Sequence, residues 1–273
     1  MTLANRSSDE LWVCNLGTVA YGDALAIQQR VRARRQAGEL PDTLLLLEHP
    51  PVYTRGRRSQ ASELPLEQGL TSVRDIEVIT TDRGGRITYH APGQLVGYPI
   101  MAIEDVGSYL RTMESAIIAA LAQVGIEART RCAEGPDYTG VWVQERKIAS
   151  IGVHVSRAIT THGFAINVDL DLSPFSWVIS CGLPDVEMTS IARELASRSG
   201  AAPASEQLRT IVAEQFSLAY GRRTHAASLE ELTAGEHRPA QRSPGQRSPG
   251  QRSPGHGAAA ARPSEVAGAG ARR

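Results

Sequence analysis

A chain of 273 residues, 41% hydrophobic, 21% charged and with a formal net charge of zero, is long enough to bury a full core as one large domain or two small ones. No apolar run approaches the ~18 residues of a membrane-spanning helix. The three cysteines, Cys14, Cys132 and Cys181, include no CxxC pair, which fits a reducing compartment better than a disulfide framework. The opening MTLANRSSDELWV lacks the basic, apolar and small-residue regions of a secretory signal, so a cytoplasmic protein is expected.

Residues 11–16 (LWVCNL) predict a strand. Tyr21 to Ala37 predicts an amphipathic helix, with Ala24, Ile27 and Val31 among arginines and Gly38 as its stop. TLLLLEHPP gives a short apolar strand, Thr43 to Leu47, ended by Pro50 and Pro51. Glu77 to Thr81 is a further strand, and RGGRITYHAPGQLVGYPI predicts a hairpin or bent strand pair around Pro92-Gly93. Leu110, Met113, Ile117, Ile118 and Leu121 have helical spacing between Val106 and Val124. Three strands then follow in close succession, Gly140 to Val143, Lys147 to Val155 and Gly163 to Leu170. Connections this short require an antiparallel meander. Pro174 to Trp177 reads as a turn of helix, Thr189 or Ser190 opens a helix through Leu195, and a last helix runs from about Ser205 to Ala219.

This pattern predicts an α+β fold, a mixed and mostly antiparallel sheet flanked by helices, in one domain over residues 10–220. Residues 221–273 are expected to be a disordered Arg/Pro/Gly-rich tail, in which QRSPG occurs three times at 241–255. From Arg238 to Arg273 seven arginines face one acid, Glu265, so this tail carries +6 and residues 1–237 carry −6. Such a segment is a spacer or an electrostatic tether to an acidic partner.

Cys14 lies in an apolar strand and reads as a small buried hydrophobe. Cys132 lies among charges in RTRCAEGPDY. Cys181 differs, since it follows WVIS and precedes Gly182 and Pro184, placing a thiol on a tight loop where backbone amides can approach a substrate. A nucleophilic cysteine must be a thiolate, and at a pKa near 8.5 only about 3% is ionised at pH 7. A shift of about 1.5 units asks for roughly 2 kcal/mol from a neighbouring cation. His49, His90, His154, His162 and Lys147 are the candidates, and spacing does not choose among them.

Lys147 is the single lysine among 29 Lys and Arg. Arg-rich codon usage accounts for the arginines and allows one stray lysine. Chemistry offers a second reading, because guanidinium stays charged at any working pH whereas an amine can act as a base. Arg83-Gly84-Gly85 is a turn, a bulge or a binding loop. No GxxxxGK[ST] phosphate loop and no zinc-ligand spacing occur, which leaves a covalent mechanism without metal or cofactor.

RGGRITYHAPGQLVGYP at 83–99 resembles the signature of the lipoyl(octanoyl) transferases. KIASIGVHV at 147–155, THGFAINVDLDL at 161–172 and SCGLPDVEMTSI at 180–191 are similar to that family's later blocks, in the same order. The likeness covers about residues 10–220; Ser180 stands where many members have Pro.

The resemblance implies a fold similar to the biotin/lipoate protein ligase catalytic domain. It also implies transfer of an octanoyl group from octanoyl-acyl carrier protein to a lysine of lipoyl domains, in 2-oxo acid dehydrogenases and glycine cleavage H protein. Cys181 would carry the acyl thioester and Lys147 would share its proton, the two titrating as a pair. Implied substrate contacts are Arg83, Gly84, Gly85, Arg86, Ile87, Thr88, Tyr89 and His90, then Ser150, Ile151 and Gly152, then Gly163, Phe164 and Ala165. Amides near Gly152 or Cys181 would hold the oxyanion, and Ile151, Val153 and Phe164 or their neighbours would line an acyl tunnel. His90 and His154 would serve as hydrogen-bonding walls.

The clusters Arg30/Arg32/Arg34/Arg35 and Arg55/Arg57/Arg58 could dock acidic partners or be solvated faces. Two rivals stand beside this reading: an ATP-dependent lipoate or biotin ligase, and a non-catalytic module binding through its basic tail. The tail has no aromatic platform for bases, so no nucleic-acid partner is expected, and no membrane partner either.

Overall fold

The computed structural model describes residues 9–64, 72–183, 185–196 and 201–234. Strand β1 (Glu10–Thr18) leads into helix α1 (Tyr21–Gln36), which buries Tyr21, Ala24, Gln28, Val31 and Arg35. That spacing is one helical stripe. The apolar run of β2 (Asp42–Glu48) is buried on both faces because helices cover both. Leu44 and Leu46 pack on one side and Leu45 and Leu47 on the other, all with no exposed surface.

Strands β3 (Val52–Arg55), β4 (Ser72–Val73), β5 (Ile76–Thr80) and β6 (Ile87–His90) form a small sheet in the order β4-β5-β3-β6. Strand β7 (Gln94–Ile100), helix α2 (Val106–Gln123) and strands β8 (Arg129–Thr130), β9 (Gly140–Val143), β10 (Arg146–Ser156) and β11 (Ile159–Asn167) follow. Helices α3 (Ile191–Ala196) and α4 (Ser205–Ala219), strand β12 (Arg223–Ala226) and helix α5 (Leu229–Thr233) complete the described chain. The large sheet runs β12-β1-β2-β7-β11-β10-β9-β8. Only its β1–β2 and β1–β12 pairs are parallel, so the sheet is mixed and mostly antiparallel, as expected.

One core sets α2 and α4 against the sheet through Ile117, Leu121, Phe164 and Phe216; a second joins α1 and α5 through Val31 and Leu232. Asp105 caps α2, its carboxylate accepting from the Ser108 N–H at 2.7 Å, a contact worth ~1 kcal/mol. No helix among the described residues is long and apolar enough to cross a membrane.

Three details differ from the sequence reading. The Pro92-Gly93 turn does not close a hairpin, since β6 pairs with β3 in the small sheet whereas β7 pairs with β2 and β11 in the large one. Strand β11 begins at Ile159, not Gly163, and is buried throughout. Past residue 220, β12 pairs with β1 and Leu232 enters the core; the repeats at 241–255 lie outside the described residues.

Among the four arginines of α1, Arg34 and Arg35 make contacts within the chain. Arg34 donates to the carbonyls of Glu231 and Leu232 at 2.8 and 2.9 Å, so it holds α5. Arg35 bonds Asp42 at 2.9 Å. Asp42, 1% exposed, also accepts from the Ala102 N–H at 3.0 Å and from Arg222 at 3.2 Å. One carboxylate thus ties α1, β2, the start of α2 and the approach to β12. Removing one member of a buried pair leaves an uncompensated charge, at about 3–5 kcal/mol. Asp42→Ala is expected to lower unfolding free energy by about that amount, measured by urea denaturation at pH 7.5.

Candidate active site

A cavity of about 290 Å³ is lined by the 83–88 segment and His90, by Lys147 and residues 150–153 of β10, and by residues 162–165 of β11. Its size lies at the small end of the ~300–1,000 Å³ typical of ligand pockets. Every expected substrate contact lines it except Tyr89. Strand side chains alternate, and the Tyr89 ring turns away from the cavity to pack on Tyr53 and Phe175, with centroids 5.2 and 5.5 Å apart. Ile151, Val153 and Phe164 are all in the wall.

The Arg83-Gly84-Gly85 loop is bound to both sheets. Arg83, 7% exposed, donates to the Thr54 hydroxyl at 2.7 Å and the Thr54 carbonyl at 2.6 Å. The Gly84 N–H donates to the Val153 carbonyl at 2.9 Å. That approach needs glycine at 152, where a Cβ would lie 2.8 Å from the Gly84 carbonyl oxygen. Asp82 completes the attachment, with His162 Nε2 at 2.7 Å and His154 Nε2 at 3.5 Å. His162 has φ +56°, a left-handed backbone that costs a non-glycine residue about 1 kcal/mol or more. Its N–H donates to Gln28 at 2.7 Å and its ring meets Asp82, so bonds on both sides hold it there.

A second chain of bonds runs beneath the cavity. Gln94 donates to the Tyr89 carbonyl at 3.1 Å and to Asn167 at 2.9 Å, so its oxygen is the acceptor for His90 Nδ1 at 2.7 Å. Asn167 in turn donates to the Thr189 carbonyl at 2.9 Å, and the Thr189 N–H donates to the Lys147 carbonyl at 2.9 Å. His90 Nε2 faces the Thr54 hydroxyl at 3.4 Å, the same hydroxyl that Arg83 engages. Amides whose ends are all assigned place a proton on His90 Nδ1, and burial pushes the ring's pKa well below its usual value.

Lys147 is 2% exposed. Its N–H donates to the Glu187 carbonyl at 2.8 Å, so both its main-chain groups bond the segment that follows Cys181. The amine lies 5.2 Å from the centroid of the Trp142 ring. Gly140 leaves room for it, because a Cβ there would stand 2.7 Å from Lys147 Cε and 3.4 Å from Nζ.

Cys181 occupies the 3₁₀ turn Ser180–Gly182. The turn is held by the Ser180 hydroxyl donating to the Phe175 carbonyl at 3.1 Å and by the Ile179 N–H donating to the Glu63 carbonyl at 2.9 Å. Gly182, at φ +71°, packs so closely on Arg86 that a side chain there would collide with it. Arg86 lines the cavity and pairs with Glu63 at 2.6 Å. The other cysteines lie elsewhere: Cys14 is buried in β1, and burial with Glu231 nearby pushes its thiol up to about 11, while Cys132 is exposed in the 3₁₀ turn Cys132–Glu134, away from the cavity lining.

Val106 and Leu110 of α2, Val96 and Tyr98 of β7, Tyr21, and Asp137 with Thr139 also line the cavity and were missed by sequence reasoning. The i, i+4 spacing of Val106 and Leu110 and the Tyr in GYP were the available signals. The Thr88 hydroxyl, buried in the wall, has no protein partner, which leaves a hydrogen bond for a bound group. Among the described residues no His/Cys/Asp/Glu cluster could hold a metal ion.

Residues 20–217 match the family model of the lipoyl protein ligase A/B catalytic domain. The chain is 49% identical over 172 residues to an octanoyltransferase of Solibacter usitatus, covering 62% of this chain and 76% of that one. It is 45% identical over 207 residues to an octanoyltransferase of Mycolicibacterium smegmatis, covering 72% and 86%. Its fold is similar to that of lipoate-protein ligase A bound with ATP, with a TM-score of 0.66, 18% identity and coverage of 82% and 92%. A bipartite lipoate protein ligase from Thermoplasma acidophilum shares it at a TM-score of 0.61, 17% identity and coverage of 82% and 90%.

The imidazoles around the cavity make stability depend on pH. Burial lowers His49, His162 and, most strongly, His90. Asp82, half exposed, is held low in spite of partial desolvation, by the hydrogen bond and charge of His162. Below the unfolded histidine value of ~6.5 the unfolded chain takes up protons that the folded protein refuses, so stability falls as pH drops. Each histidine contributes about 1.4 kcal/mol per pH unit over that window. Denaturant midpoints are expected to be level above pH 7 and to fall steadily from pH 6.5 to 5; a flat profile would mean the rings charge in place.

Proposed function

The chain belongs to the lipoyl protein ligase A/B catalytic domain family, among its octanoyltransferases, and we propose that it passes the octanoyl group through a thioester on Cys181 with Lys147 as the base. Octanoyl transfer in protein lipoylation is its activity. The donor in this reading is octanoyl-acyl carrier protein, and the acceptors are lysines of lipoyl domains in 2-oxo acid dehydrogenases and of glycine cleavage H protein.

The observation that carries this reading is the attachment of the Cys181 segment to Lys147. Glu187 and Thr189, a few residues beyond the thiol, bond the two main-chain groups of Lys147, and Gly182 packs on the cavity-lining Arg86. In the first half-reaction the Cys181 proton passes to Lys147 and the thiolate adds to the octanoyl carbonyl. The carrier thiolate leaves and takes that proton. In the second half an acceptor amine adds to the enzyme thioester, Lys147 takes its proton, and the Cys181 thiolate departs. A lysine amine with a reference pKa near 10.4 is mostly protonated at pH 7, so a base is required; arginine could not serve.

Backbone N–H groups near Gly152 and Cys181 are the proposed oxyanion donors, each worth about 3 kcal/mol in acyl transfer. Val96, Leu110, Ile151 and Phe164 give the alkyl chain an apolar bed, at about 0.8 kcal/mol per buried methylene. Because each methylene adds so little, chain length is set by where the walls end as much as by attraction.

Intact mass spectrometry after mixing with octanoyl carrier protein, without ATP, tests this. Wild type is expected to gain one octanoyl group that hydroxylamine removes. Cys181→Ser is expected to gain none, and Lys147→Arg to fail either in loading or in passing the chain on. Full transfer by Cys181→Ala would end the thioester reading, and a strict ATP requirement would favour a ligase.

A further inference from the structure

Helix α2 carries an acid that the reaction scheme does not use. Glu114 lies one turn beyond Leu110 and two beyond Val106, on the stripe of α2 that meets the cavity, and is 1% exposed. Its Oε2 accepts from the Thr130 hydroxyl at 2.8 Å and pairs with Arg111 at 2.6 Å, while its Oε1 accepts from the Gly140 N–H at 2.9 Å. Gly140 is the residue whose α-carbon abuts the Lys147 side chain. It opens β9, sits at φ +138° and has the Ala149 carbonyl close by. A buried carboxylate therefore holds, by one hydrogen bond, the backbone wall against which the amine rests.

We propose that Glu114 is a positioning residue for Lys147, acting through Gly140; this rests on Lys147 being the base of the transfer reaction. The contact to the glycine is geometric. Without an acceptor at 114 the Gly140 N–H is buried and unsatisfied, β9 shifts to find a partner, and the amine loses the wall that aims it into the cavity. An acceptor on the Gly140 side is enough, so glutamine should replace glutamate with its oxygen on the Gly140 N–H and its amide donating to the Thr130 hydroxyl, Arg111 turning to solvent, whereas an apolar residue should not. Substrate binding uses other parts of the cavity, so the effect belongs in turnover and not in affinity.

Steady-state transfer from octanoyl carrier protein to a lipoyl domain tests this in the full chain, with thermal midpoints measured on the same samples. Glu114→Leu is expected to lower kcat by about tenfold or more, the equivalent of one unsatisfied buried donor. KM for the octanoyl carrier should stay near the wild-type value. Glu114→Gln should restore kcat to near wild type. Gly140→Ala, which keeps the acid but places a methyl 2.5 Å from the Ala149 carbonyl and 2.7 Å from Lys147 Cε, should lose kcat in the same way, and Glu114→Thr, a smaller substitution that removes the carboxylate, carries the test if Glu114→Leu does not fold. A wild-type kcat in either Glu114→Leu or Gly140→Ala would overturn the proposal, as would a folded Glu114→Gln as slow as Glu114→Leu. Lys147→Ala separates the two ideas. If it is fully active the reading of Lys147 as base fails; if it is inactive while Glu114→Leu is normal, only the positioning role fails.

Discussion

Two main-chain hydrogen bonds at Lys147, one given to Glu187 and one taken from Thr189, fix where the chain beyond Cys181 lies against β10. Strand β11 pairs with β10 only from Ala149 onward, and just before that point the same edge of β10 takes the returning chain in a single parallel bridge at Met188. The turn bearing Cys181 lies a few residues upstream, and its reach is set by that bridge at one end and by Glu63 holding Ile179 at the other. The turn bearing Cys181 and the strand bearing Lys147 thereby share one main-chain frame.

The cavity floor is polar but satisfied. Arg83, Thr54, His90, Gln94, Asn167 and Thr189 form a continuous series from the glycine loop to the Lys147 carbonyl. Buried amides of this kind are costly when unpaired and rigidifying when complete. They allow an apolar chamber to sit on the small sheet and the large one together, although no strand is shared between the two. The Asp82 attachment to His154 and His162 does the same work from above.

Much of this was legible in the sequence because the motif blocks are also the structural joints. The glycine loop, β10, β11 and the Cys181 turn each needed small or β-branched residues at set places, and those patterns survive in the chain. What stayed hidden had physical reasons. Glu114 on an amphipathic helix looks like a solvated charge until β9 is laid against it. Strand β12 is exposed at all four positions, with no apolar alternation to announce it; only pairing with β1 defines it. Arg34 and Arg35 read as a basic patch, yet their partners lie 197 and 7 residues away in sequence. The Pro92-Gly93 turn allowed a hairpin or a bent strand pair because turn chemistry says where a chain reverses and not which sheet receives it.

The series beneath the cavity has one further consequence. Gln94 and Asn167 each have a carbonyl end and an amide end pinned by fixed neighbours, and neither can exchange them without breaking two bonds. His90, the one ring in the series, is kept from charging by its burial. Such a row can transmit orientation but cannot shuttle hydrogen ions, so it is a strut and no wire.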